Sequence, residues 1–194
     1  MTAQETPPEP FQTACTSLRS ARLRTEITVE EAPAPQRLAP FAVALTADVV
    51  DDDDEELGTG RFVVLHDPDG HDTWNGTFRV VTFARATLEP DMAADPLVTE
   101  IGWAWLMDCL ADQNAHFHAP SGTVTRESSQ SFGSMADREP TAALEVRASW
   151  TPQDLDLGSH LAAWADLLCT ACGLPPVPPG VVSLPRRTSA RRLG

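Results

Sequence analysis

The chain has 194 residues, of which 28 are acidic and 14 basic, giving a net charge of −14; that length suits one globular domain with tails and leaves no room for a second full domain. Every basic residue is arginine, which excludes a phosphate loop built around lysine, a Schiff-base enzyme and a kinase with its strand lysine. The acidic balance repels a phosphate backbone, so the body is expected not to bind nucleic acid directly, and a protein partner with a basic surface fits better.

The N-terminal sequence MTAQETPPEP has neither a basic nor an apolar leader region, and no apolar run approaches the roughly 18 residues of a membrane span. A cytoplasmic protein with no membrane contact is the expectation, with Cys15, Cys109, Cys169 and Cys172 as thiols rather than a disulfide framework. No cofactor is called for by any motif.

Residues 1–9 read as a disordered lead, 10–174 as a single domain, and 175–194 as a proline-rich and then arginine-rich tail carrying Arg186, Arg187, Arg191 and Arg192. Apolar residues at helical spacing from Phe11 to Leu23 predict a first helix, after which Arg24 to Glu31 turns β-like. EAPAPQRLAP is an extended connection, because proline lacks the amide donor of either regular ladder. FAVALTADVV, GRFVVLHDP and TFRVVTFARATLE then predict a three-strand antiparallel meander, with turn signals in DPDGHDTWNG. Between the first two strands lies DDDDEE. Asp51, Asp52, Asp53, Asp54, Glu55 and Glu56 are expected to form a mobile solvated loop able to attract a basic partner over long range.

Asp95 as N-cap and Pro96 as first helical residue open a second helix, whose acidic stripe (Glu100, Asp108, Asp112) is opposed by a broad apolar surface of Leu97, Val98, Ile101, Trp105, Leu106, Cys109 and Leu110. Such breadth suggests a sheet on one side and a second body on the other, hence a possible homodimer. Two further strands, Ser121 to Ser131 and Ala142 to Trp150, lead to a last helix whose start is read at Thr151-Pro152-Gln153-Asp154 and whose end is set by Gly173 and Pro175. The expected architecture is α+β: a two-layer antiparallel sheet of about five strands with helices on one face, in the order α-β-β-β-α-β-β-α.

Chemistry-bearing constellations are few. Cys169 and Cys172 form a C-x-x-C pair, but both fall in the last turn of a helix, where the dipole's negative end raises a thiol pKa; we read them as small core residues. His116 and His118 would share one face of a strand, so a metal-assisted hydrolase using His116, His118 and acidic side chains is the alternative to a binding protein; His66 and His71, in or beside the HDPDGHD loop, are further candidate metal ligands. The serine-rich RESSQSFGSMADRE contains no G-x-S-x-G elbow, and no catalytic residue is assigned. Of five tryptophans, Trp105, Trp150 and Trp164 follow apolar stripes, whereas Trp103 and Trp74 are expected to be partly exposed and are candidates for partner contact.

The stretches RLAPFAVALTADV, GTGRFVVLHDPDG, WNGTFRVVTFARATLEPDMAADPL, SGTVTRESSQSFGSMADR, EVRASWTP and LLCTACGLPPVPPGVVSLP together resemble an actinobacterial family of unknown function, the domain-of-unknown-function family three thousand, over about residues 10 to 185. The resemblance implies a small cytoplasmic protein, often encoded near a ribonuclease-D-like exonuclease, and carries no ligand or catalytic residues. An accessory role in RNA metabolism through a basic protein partner is a further alternative on that ground. The element order is more loosely similar to type III secretion chaperones and YbjN-like proteins, which implies a non-enzymatic, chaperone-like binder of other proteins.

Overall fold

A computed structural model describes residues 6–176 apart from 52 and 54; residues 1–5 of the N-terminal lead, Asp52, Asp54 and the tail from residue 177 with its four arginines lie outside the described residues. In chain order the elements are α1 (Glu9–Ser20), β1 (Ile27–Ala32), β2 (Phe41–Val50), β3 (Glu56–His71), β4 (Gly76–Thr87), α2 (Pro90–Ala94), α3 (Val98–Asp112), β5 (Phe117–Ser129), a 3-10 turn (Gly133–Met135), β6 (Thr141–Pro152) and α4 (Leu157–Ala171). The six strands form one antiparallel sheet in the order β1-β2-β3-β4-β6-β5. The α+β class is as expected. The sixth strand is β1, which grows from the β-like stretch after α1 because Ile27 and Val29 carry the apolar face of β2 outward by one more strand.

Alternation sorts each strand into two faces. Val49 on β2, Phe62 and Val64 on β3, Phe78, Val80 and Ala84 on β4, and Leu144, Val146 and Trp150 on β6 join Phe11 of α1, Leu106 of α3 and most of α4 in one core. Helix α4 lies at the centre of the helical layer, touching β2, β3, β4 and β6 below and α1 and α3 on its flanks. It can sit so close because β3 has glycine where a side chain would stand in the way. A Cβ on Gly60 would fall 2.5 Å from the Trp164 ring, and one on Gly58 would fall 2.6 Å from Cys172 Sγ.

Several local readings shift. Asp95 and Pro96 do not open α3: the helix starts at Val98 with Leu97 as N-cap and no side-chain cap bond, Asp95 ends a separate short helix, α2, and its Oδ1 accepts from the Leu97 N–H at 2.8 Å in the turn between the two. Strand β3 continues through the DPDG segment as an irregularity and reverses at residues 72–75, where Asn75 takes a positive φ of 54°. Helix α4 starts at Leu157 rather than near Thr151, because β6 runs on to Pro152. Its cap is tertiary: Ser17 Oγ of α1 accepts from the Gly158 N–H at 3.0 Å. Of the apolar breadth of α3, Val98, Leu106 and Leu110 are buried within the chain, with β5 and β6 beneath the helix and α4 beside it, whereas Ile101, Trp105 and Cys109 are half-buried and Leu97 is exposed.

Candidate interaction surface

All three long helices cover one face of the sheet, so the chemistry of the other face is what the fold leaves available. Its β2–β3 half is roofed: Ala44, Val63 and Leu65 pack under Ala32, Ala34 and Ala39 of the proline-rich connection and under Trp74. Arg61 ties that roof down by donating from Nη2 to the Pro33 carbonyl at 2.6 Å.

The β4–β6–β5 half has no such cover among the described residues. Phe83 stands there between Arg61 and Arg147, its direct cross-strand neighbours, and the Arg147 guanidinium lies over the ring, 5.0 Å from its centre. Val81 beside it is 37% exposed, unusual for a valine at the middle of a sheet. One step along, Arg85 bridges Glu127 at 2.7 Å and Glu145 at 2.5 Å, while Arg147 reaches Glu145 at 3.1 Å. Burial would raise the Glu145 carboxyl pKa, but the hydrogen bonds from Arg147 and Arg85 outweigh it and hold the pKa below the usual value.

At the opposite end of this face Arg79 is buried, with no carboxylate in reach among the described residues. Its two terminal nitrogens donate to the Ala119 carbonyl (2.9 Å), Thr151 Oγ1 (3.0 Å), Ser121 Oγ (3.1 Å), the Ser149 carbonyl (3.3 Å) and Ser149 Oγ (2.8 Å). Desolvation lowers its pKa. The side chain acts as a clamp on the start of β5, where the register slips between His118 and Ser121 and Ala119 adopts a φ of 49°. Nothing local in the sequence marks Phe83, Arg147 or Arg79 as a group, since they meet only through strand pairing.

The residues singled out from the sequence are spread over the molecule. Trp74 lies in the β3–β4 reversal, stacked on His71 with ring centres 4.9 Å apart, and its carbonyl accepts from Thr151 Oγ1. Trp103 rests on β5, where a Cβ on Gly122 would come within 2.8 Å of its ring. Both are half-buried, and Trp105 is half-buried too, whereas Trp150 and Trp164 are core. Asp51 organises the β2–β3 reversal, its Oδ1 accepting from the N–H groups of Asp53 (2.8 Å) and Glu55 (2.9 Å), and Glu56 is already paired in β3.

The four histidines do not converge. His66 is buried on the helix side, where it is stacked on Phe78 with centres 4.1 Å apart and bonded to the Thr77 carbonyl; desolvation lowers its pKa. His116 precedes β5 and faces Asp154 at 3.6 Å, while His118 Nε2 is bonded to the Asn75 carbonyl. Among the described residues no group of three or more His, Cys, Asp or Glu side chains is placed to hold a metal ion. The cysteines are all unpaired, and burial pushes the Cys109, Cys169 and Cys172 thiols up to about 12, in the direction of a structural reading of the C-x-x-C pair.

No helix among the described residues is long and apolar enough to cross a membrane. Compared with known proteins, residues 7–182 match the family described as "Protein of unknown function (DUF3000)". No curated protein and no solved structure matches.

Proposed function

The chain belongs to the DUF3000 family, and from that premise we propose that it is a non-enzymatic, chaperone-like protein-binding module of the cytoplasm that holds a basic protein partner on the free half of its sheet. The observation that carries this reading is the Val81–Phe83 pair, apolar and central in the sheet, with Val81 exposed and Phe83 half-buried under the Arg147 guanidinium, framed by the polar side chains of Arg147, Glu145, Thr123 and Thr125. An apolar centre with a polar rim is the anatomy of a protein contact. The acidic β2–β3 reversal supports the basic character of the partner, because it stands at the end of the sheet where Asp48, Glu145 and Glu127 also face this side. Long-range attraction would raise the association rate, and the apolar pair would set the lifetime of the complex.

The test compares untagged wild-type protein with Phe83→Glu, which changes the free face but no core contact. A stoichiometric species retained from native lysate by the wild type and lost by the variant, with equal thermal midpoints, supports the reading. Equal retention by both proteins removes it.

A further inference from the structure

Strand β5 is an outer strand of the sheet, paired on one side with β6 and on the other with nothing among the described residues. Its first part is self-protecting, through the register slip at His118/Ser121 and Pro120, which has no N–H to offer. From Ser121 to Ser129 the ladder is regular and the free edge offers a row of backbone donors and acceptors. Natural edges of this length are blunted by charge, yet the two charged residues here are already engaged: Arg126 donates to the Ala93 and Asp95 carbonyls at 3.2 and 3.1 Å, and Glu127 is bridged by Arg85.

We propose that this edge pairs with the same edge of a second copy, β5 against β5, to make one continuous antiparallel sheet. Antiparallel pairing of identical strands needs a two-fold axis perpendicular to the sheet, which joins residues on the same face. The axis that uses the whole regular run passes through Thr125. It sets Thr125 against Thr125 of the other copy, Val124 against Arg126, Thr123 against Glu127, Gly122 against Ser128 and Ser121 against Ser129. No like charges stand directly opposite, and the two Arg126 side chains, diagonal neighbours across the axis, are each held by the Ala93 and Asp95 carbonyls of their own chain, so the edge tolerates its own copy. Trp103, lying on Gly122 at the rim of the helical layer, extends the contact beyond the backbone. The second copy is favoured over a foreign strand because this register sets each charged side chain opposite a neutral one, Arg126 opposite Val124 and Glu127 opposite Thr123, without any partner-specific pocket.

This goes beyond the binding of a partner on Phe83, and the two fail separately, since Phe83 lies two strands inward. Light scattering on the full chain should give twice the 20.9 kDa chain mass at micromolar concentration. Thr125→Cys should cross-link copies under mild oxidation, because opposed antiparallel residues lie about 4.5–5.5 Å apart at Cα, within disulfide reach. Thr123→Cys should not, because its counterpart is then four pairs away. Thr125→Lys, facing Glu145 within its own chain, should weaken self-association by about tenfold or more by opposing two ammonium groups at the axis. A monomeric wild type, cross-linking that does not discriminate position 125 from 123, or a Thr125→Lys dimer of unchanged affinity would overturn the proposal.

Discussion

The indole N–H of Trp150 donates to Nδ1 of His160 across 3.0 Å, and both side chains are fully buried. The bond fixes the imidazole as the neutral tautomer with its proton on Nε2, an atom that has no partner among the described residues. Charging the ring would place a second donor against the indole donor. Desolvation, and to a smaller extent His116, holds the His160 pKa down to about 4, although Asp154 and Asp156 pull the other way.

Acid sensitivity follows from that bond. Above about pH 6.5 His160 is neutral whether the chain is folded or not, so it has no linkage effect there. Between about 6.5 and 4 only the unfolded chain takes the proton, and folding should lose on the order of 3 kcal/mol across that window. His66, lowered for the same reason, adds loss of the same sign. Urea unfolding at a series of pH values should show the fall, and His160→Gln should reduce its slope by about one proton. An unchanged slope in that variant would place the linkage elsewhere.

Close approach of α4 to β3 depends on Gly60. Gly60→Ala puts a methyl group 2.5 Å from Trp164 Cζ2 and 2.8 Å from the Phe83 carbonyl, and should cost roughly 1–3 kcal/mol through overpacking. Trp164→Phe in the same chain should recover part of the loss, since it removes the atoms that collide. Chemical denaturation of the two single variants and the double variant measures both effects.

The thiols should be slow to alkylate at neutral pH. With Cys109, Cys169 and Cys172 held near 12 and Cys15 raised by burial, the thiolate fraction is far below that of a free cysteine. Mass spectrometry after timed iodoacetamide treatment should find these sites modified only once denaturant is added. Rapid labelling of Cys169 or Cys172 in the folded protein would contradict their role as packing residues.

Removing the Arg79 clamp should loosen the start of β5 before the rest of the sheet. Arg79→Lys keeps the charge but cannot reach both sets of acceptors, and a loss of roughly 2–3 kcal/mol is expected from bonds to a charged donor left unmade. Hydrogen exchange should quicken first at residues 117–122. Uniform acceleration over all strands would mean that Arg79 is a general core residue with no special hold on the β5 slip.

Periodicity in the sequence was sufficient for the α+β class, for the three-strand meander, for a last helix with Trp164 on its apolar stripe, and for the structural reading of Cys169 and Cys172 at a helix C-terminus. These are local properties: the spacing of side chains sets which of them share a face, and the backbone dipole sets the sign at a helix end. Tertiary structure alone decided the rest. It put β6 between β4 and β5, so that Arg147 meets Phe83 and β5 becomes the free edge, and it moved the start of α4 to where Ser17 of α1 can cap it. It sent His66 into the core and His116 and His118 to different partners, although the sequence sets the last two one residue apart. The reason is that pairing partners and caps are chosen by burial and hydrogen bonding between distant segments, whose free energy has no counterpart in the spacing of neighbours along the chain.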